Sequence, residues 1–204
     1  MLFLLSSPSG AGKSSVISAL ISRGVKLRLV VSFTTRLPRS GEIDAVDYHF
    51  ISVETFKEMV EKGEFFEWEE ICGNFYGTRA VDLSCSSDEC VIHDVDWKGA
   101  ENIMRSFSAI SIFIMPPSYD ELESRLINRN SDSSASITKR MKRAIEEVKQ
   151  YKKYRYVIVN HDLENTVDKM YEVIASGSKE IAFDDCGDSE ESLEIISQSF
   201  VSRS

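Results

Sequence analysis

Lys13 and Ser14 follow the run Ser7-Pro8-Ser9-Gly10-Ala11-Gly12, with Ser15 behind them. A loop of this kind points backbone N–H groups and a helix N-terminus at one spot, which suits a phosphate chain. In it, the Lys13 ammonium reaches the β- and γ-phosphates and the Ser14 hydroxyl ligates magnesium. The strict pattern is G-x-x-x-x-G-K-[ST], and this chain has Ser7 in place of the first glycine. That substitution is costly if the position needs a positive φ. The competing reading is an ordinary Gly/Ser turn before a surface helix. The order strand, loop, Lys-Ser and amphipathic helix argues against it.

A second set of chemistry-bearing residues lies in Thr34-Thr35-Arg36-Leu37-Pro38-Arg39-Ser40-Gly41-Glu42. Arg36 and Arg39 read alone as a solvated basic loop. The loop, however, leaves the carboxyl end of an expected strand, where α/β proteins bind ligands, and the arginine fork matches a phosphate dianion. A phosphate grip beside a P-loop points to two phosphorylated substrates, and so to phosphoryl transfer onto a phosphate acceptor. Tyr48 and Tyr76 either donate phenolic hydroxyls to that phosphate or pack amphipathically in the core.

Glu67, in Phe65-Phe66-Glu67-Trp68, is either the outward position of an alternating strand or a base reader. Guanine offers N–H donors at N1 and N2 and an acceptor at O6, whereas adenine lacks the N2 donor and carries a donor at position 6. A carboxylate accepting from N1 and N2, with hydroxyls donating to O6, selects guanine, and Glu67, Ser32 and Thr78 are the right types. Asp94 and Asp96 end an expected strand two residues apart, so they face opposite ways. One is a magnesium-associated acid or second base reader and the other structural; the sequence leaves open which. Arg125, Arg129, Lys139, Arg140 and Arg143 flank the polar stretch 128–136. They form either a solvated helix face, which suits Lys139 and Arg143, or a lid carrying positive charge to the transferring phosphoryl group. No catalytic histidine is required, because an acceptor phosphate with a second pKa of about 6 is already ionised at neutral pH.

The elements that must position these residues alternate. Leu2–Leu5 reads as a short buried strand, followed by a helix that carries Val16, Ile17, Leu20 and Ile21 and stops at Gly24. Residues 28–33 read as a second strand. The aromatic-rich stretch 33–80 reads as a small insertion of mostly antiparallel strands around a helix 53–62, capped by Ser52. Strands at 90–96, 109–115 and 156–160 alternate with helices at 97–106, from Ser118, from Ile137 and at 163–175. This is the pattern of a mostly parallel sheet flanked by helices.

Bulk properties narrow the field. The chain has 204 residues and a net charge of −9, of which −6 lies in residues 180–204. That balance argues against broad nucleic-acid binding, and no apolar run approaches a membrane span. Leu2–Leu5 is too short for a signal peptide, so a cytoplasmic location is expected, with Cys72, Cys85, Cys90 and Cys186 as free thiols. Cys85, Cys90 and His93 are too few and too oddly spaced for a structural zinc site. The Ser- and acid-rich tail reads as disordered or as a weak helix with Leu193, Ile196 and Phe200 on one side.

Taken together, residues 6–14, Ser32–Glu42, Gly73–Thr78, Asp94–Gly99 and Val157–Asn160 resemble the guanylate kinase family. The resemblance covers residues 2–175 and implies ATP + GMP ⇌ ADP + GDP with Mg2+. It implies a fold of the α/β class: a P-loop NTPase core with a parallel sheet flanked by helices, a small mixed α+β GMP-binding insertion and a helical lid. The expected boundaries are a kinase-like domain at 1–179 and a tail at 180–204. Within the domain, the core takes 1–32, 81–124 and 144–179, the insertion about 33–80 and the lid about 125–143. Carried over by position, Arg36, Arg39, Tyr48 and Tyr76 hold the GMP phosphate, and Ser32, Glu67, Thr78 and Asp94 read guanine, with Asp96 beside them. Lys13, Arg36, Arg129 and Arg140 stabilise the transferring group, Ser7–Ser15 and Arg125 hold ATP, and Asn160 lies near adenine. Magnesium falls to Ser14, with Asp94 acting through water. His93, Asn130 and His161 depart from the family pattern. The partners implied are these two nucleotides, without nucleic acid or membrane, for a monomer or homodimer. A catalytically inactive guanylate-kinase-like module that binds a phosphorylated ligand is the alternative.

Overall fold

A computed structural model describes residues 1–39, 41–71, 73–86, 89–128, 134–176 and 189–203. The chain divides into two compact units, one of Met1–Phe3 with Leu27–Ala109 and one of Leu4–Lys26 with Ile110–Ser204. Strand β1 (Leu2–Ser6) contributes to both, and all five of its side chains are buried.

In the first unit, β2 (Arg28–Leu29) pairs in parallel with β7 (Val91–Asp94), Arg28 opposite Val91, in the order β2-β7-β1. A second sheet takes β3 (Phe33–Thr34), β4 (His49–Phe50), β5 (Glu67–Ile71) and β6 (Asn74–Thr78) in the order β4-β3-β6-β5. Its β3–β6 and β5–β6 pairs are antiparallel and its β3–β4 pair is parallel. Residues 28–33, expected as one strand, therefore split between two sheets. Val30 N–H still donates to Ile92 O at 2.9 Å, and by Ser32 the carbonyl accepts from His49 N–H at 2.9 Å. Helix α2 (Val53–Glu61) starts at Ser52, whose Oγ accepts from Thr55 N–H at 3.1 Å, and Gly63 follows at φ 67°. Its buried Phe56 stacks on Phe65 and Phe75 with ring centroids 4.5 and 5.4 Å away. Full burial of such a ring is worth about 1.5–3 kcal/mol, so this aromatic cluster is the small sheet's core. Helices α3 (Ala80–Leu83) and α4 (Trp97–Ser106) complete the unit.

In the second unit, the order is β1-β8-β9, with β8 (Ala109–Met115) parallel to β9 (Tyr156–Val159) and Ile114 opposite Ile158. Apart from the buried Ser6 and Ser111, these strands are apolar on both faces, which suits a sheet covered by helices. The helices are α1 (Lys13–Ser22), α5 (Tyr119–Asn128), α6 (Ser134–Val148), α7 (Leu163–Ser176) and α8 (Glu190–Val201). Helix α6 begins at Ser134, within the stretch expected to be loop; residues 129–133 lie outside the described part. The described part of the acidic tail, residues 189–203, forms α8, capped by Ser189, which buries Leu193 and Phe200. It packs on α5 and α6, with Phe200 edge-on to Tyr119 at 5.6 Å. No described helix is long and apolar enough to cross a membrane.

Candidate active site

The phosphate-type loop belongs wholly to the second unit. Gly10 and Gly12 adopt φ 97° and 103°, a region that side chains with a Cβ rarely enter. Space also requires glycine at both positions. A Cβ at Gly10 would press on Leu126 at 2.8 Å, and one at Gly12 would overlap the Asn160 amide. Ser7, by contrast, is not in the positive-φ region, so its departure from the glycine pattern carries no such strain. Pro8 O accepts from both Ala11 N–H and Ser7 Oγ–H at 3.1 Å, closing the turn. Gly12 opens α1 without a side-chain cap, and its first turn holds no acid. The first backbone N–H groups of α1, where the positive end of the helix favours an anion, lie beside the half-buried Lys13 and the exposed Ser14 hydroxyl.

Asn160, expected near adenine, also fastens the loop. Its buried side chain donates from Nδ2 to Ala11 O at 2.7 Å and accepts at Oδ1 from Thr166 Oγ at 3.0 Å. Its own carbonyl accepts from Arg125 Nη2 at 2.9 Å, and Arg125 Nε donates to Glu121 at 2.9 Å. Together with Ser15 and His161, Gly10, Gly12, Arg125 and Asn160 line a cavity of about 430 Å³ in the second unit. Arg140 lies half-buried on α6, and Arg129 and Asn130 lie outside the described residues. Lys139 is exposed, and Arg143 Nε donates to Glu147 at 2.6 Å.

The acceptor-type residues all lie in the first unit. Arg36 makes a two-pronged pair with Glu42, Nη1 and Nη2 each 2.9 Å from a carboxylate oxygen. Its guanidinium also sits 5.4 Å over the Tyr48 ring and 5.7 Å over that of Phe50. Glu42 accepts from Arg39 N–H at 2.6 Å as well, so one carboxylate sets the whole arginine turn. Burial raises the Glu42 carboxyl, but its bonds to Arg36 and to the Arg39 backbone outweigh that and hold it below the ordinary range. Burial, reinforced by the charge of Asp94, pushes the Tyr48 phenol up, which keeps it a hydrogen-bond donor. Tyr76 stands edge-on to Tyr48 with centroids 6.0 Å apart.

Beside these residues, Glu67, Thr78 and Ser32 come together. Thr78 Oγ1 is 3.1 Å from Ser32 Oγ, and Thr78 stands opposite Glu67 in the β5–β6 register, its hydroxyl tempering the rise at that carboxyl. Burial dominates at Glu67 and raises its pKa to about 7. The two aspartates take different roles. Asp96 caps α4, accepting from Gly99 N–H at 2.8 Å, and its carboxylate, together with burial, raises the carboxyl of Glu69. Asp94 ends β7 half-buried and exerts its charge on Tyr48. Sequence reasoning missed Glu42 and Thr166, which position Arg36 and Asn160. The only signal for Glu42 was its place three residues after Arg39.

The guanylate kinase family model matches residues 1–177. The guanylate kinase of Shewanella sp. strain MR-7 is 44% identical over 179 residues, covering 86% of each chain. That of Paramagnetospirillum magneticum is 42% identical over 180 residues, covering 86% of this chain and 84% of its own. The crystal structure of guanylate kinase from Anaplasma phagocytophilum matches with a TM-score of 0.71 at 34% identity, over 88% of this chain and 87% of that one. A P-loop pinned by Asn160 and an arginine turn set by Glu42 thus occur in a chain that, by sequence and by fold, belongs to the guanylate kinase family.

Proposed function

We propose that the chain transfers the γ-phosphoryl group of ATP to GMP, giving ADP and GDP, and that the residues described above divide that work as follows. The loop Ser7–Ser15 cradles the ATP phosphates through backbone N–H groups and the start of α1, with Lys13 on the β- and γ-phosphates. Arg125 and Asn160 hold the loop and the nucleotide beside it, while Arg140 and Arg129 supply positive charge to the transferring group. Arg36 and Arg39 grip the acceptor phosphate with Tyr48 and Tyr76 donating to it. Ser32, Glu67 and Thr78 read guanine, with Asp94 at the edge of that site and Asp96 holding α4 in place.

The observation that carries this reading is the buried Glu67 carboxylate on the strand paired with Thr78, whose hydroxyl lies 3.1 Å from that of Ser32. An acceptor beside two hydroxyls complements the guanine edge, and leaving these buried groups unmatched penalises adenine. Phosphoryl transfer asks the protein mainly for positioning and charge, which the P-loop and arginines supply.

Magnesium fits the donor half. A lone Ser14 hydroxyl at an uncapped helix start, with phosphate oxygens and water, is the sparse oxygen set this ion prefers. When bound, the ion neutralises charge on the β- and γ-phosphates. The non-catalytic alternative finds no support in the loop, where Lys13, Ser14 and both positive-φ glycines are in place. Coupled ADP release with ATP, magnesium and GMP tests the proposal. Turnover that collapses in Lys13→Ala and loses guanine preference in Glu67→Ala is expected. A folded protein inert toward every monophosphate refutes it.

A further inference from the structure

Gly99 stands in the first turn of α4, three residues after the Asp96 cap, and is buried. Its φ lies outside the positive region, so the backbone there would accept an ordinary side chain. Inside a helix, glycine is less favourable than alanine, because it loses more conformational freedom on folding. The local backbone therefore gives no reason for glycine, and the reason lies in the space beside it. A Cβ at Gly99 would come within 2.6 Å of Val95 Cγ2, 2.9 Å of Glu67 Oε2 and 3.3 Å of Asp96 Oδ1. The first two distances are shorter than a side-chain carbon tolerates. One of the two crowded atoms belongs to the carboxylate assigned above to guanine.

The backbones on either side of this contact are tied down. Gly99 N–H donates to Asp96 Oδ1 at 2.8 Å, and Ala100 N–H donates to Asp96 O at 2.9 Å. Lys98 pairs with Glu69, two positions along β5 from Glu67, and so fastens the start of α4 to that strand. Glu67 itself is held opposite Thr78 in the β5–β6 register. Its carboxylate is enclosed on another side as well, with Oε1 4.0 Å from His93 Nε2 and the side chain 9% exposed. An added methyl group is therefore relieved at the movable ends, which are the Val95 side chain and the Glu67 carboxylate.

We propose that Gly99 is a positioning residue for base selection: by lacking a Cβ, it leaves the slot in which the Glu67 carboxylate meets the two-amino edge of the acceptor purine. This rests on the reading of Glu67 as part of the guanine reader. Gly99 acts through Glu67 and not on the substrate. A methyl group at this position pushes Oε2 out of the slot, and the bond to the two-amino group loses its alignment.

GMP and IMP differ only in that amino group. In Gly99→Ala, the kcat/KM preference for GMP over IMP is expected to fall about tenfold, the order of one hydrogen bond to a charged group. The loss should appear in the KM for GMP, with the KM for ATP retained. On a Glu67→Ala background, Gly99→Ala should add no further loss of preference, because no carboxylate remains to be moved. Val95→Ala clears the tighter of the two contacts, and the defect should persist when it is combined with Gly99→Ala. An unchanged preference in Gly99→Ala, full recovery on adding Val95→Ala, or a further fall on the Glu67→Ala background would overturn the proposal. If Gly99→Ala does not fold, its combination with Val95→Ala, compared with Val95→Ala alone, decides it by the same ratio. A preference for GMP over IMP that survives in Glu67→Ala itself would instead bring down the underlying reading, and the proposal with it.

Discussion

Replacing Glu67 by Gln should make the protein more stable above neutral pH and a poorer reader of guanine. The Glu67 side chain is 9% exposed, and burial lifts its pKa from 4.5 to about 7. Its folded-state pKa is therefore the higher one. Between pH 4.5 and 7 the native state holds a proton that the unfolded state has lost, so stability falls as pH rises. The slope is about 1.4 kcal/mol per pH unit, and across this window the full cost is about 3 kcal/mol. Gln keeps a side-chain oxygen opposite Thr78 and removes the charge. The Glu67→Gln variant should match the parent near pH 4.5 and exceed it progressively up to pH 7–8. At about 2–4 °C per kcal/mol for a chain of this size, the difference in Tm at pH 8 is about 6–12 °C. Glu69, itself raised by burial, adds its charge to the rise at Glu67, a repulsion that Glu67→Gln also removes. Thermal melts of the two proteins from pH 4.5 to 8.5, in one buffer series at fixed ionic strength, measure this. A Tm difference that is constant across pH, or that favours the parent at pH 8, refutes the argument that an uncompensated buried charge sits at this position.

Asn160→Ala removes the bond to Ala11 O and leaves a buried carbonyl unmatched, a loss of about 1–3 kcal/mol. Denaturant unfolding should record that loss, and initial-rate kinetics should show a raised KM for ATP with the KM for GMP unchanged. Phe200→Ala deletes the buried aromatic anchor of α8 and should cost about 3 kcal/mol. Its kcat at saturating nucleotide should stay within twofold of the parent at 25 °C, a result that activity and melting assays on one preparation check together.

The donor loop was legible in the sequence because its demands are local. Gly10, Gly12, Lys13 and Ser14 must be adjacent, and the φ values of the two glycines explain why no other residue serves there. Strands 109–115 and 156–159 were legible because a strand buried on both faces is a continuous apolar run. The break at Val30–Ser32 was not, because periodicity identifies extended backbone but not its pairing partner. Asn160 could be placed near a nucleotide, yet its grip on Ala11 spans 149 positions of sequence. Helix α8 was half legible: Leu193, Ile196 and Phe200 recur at helical spacing, but the composition left disorder equally open. Its acids and serines signal disorder, and only burial of Leu193 and Phe200 against α5 and α6 offsets the entropy of ordering it. The roles of Asp94 and Asp96 separated once Asp96 was seen to cap α4.

The aromatic cluster of the small sheet doubles as an optical instrument. Both tryptophans of the chain, Trp68 and Trp97, fall in the unit that carries the acceptor-type residues. Trp68 follows Glu67 directly, is 46% exposed and stands edge-on to Phe56 and Phe75. Intrinsic emission excited at the indole band is thus a native, label-free reporter of events around Glu67. On the proposed assignment of sites, GMP added alone should shift it, whereas ATP added alone, at the P-loop of a unit without tryptophan, should leave it near its starting value. A single cuvette could then titrate the acceptor nucleotide separately from the donor, before any turnover is observed.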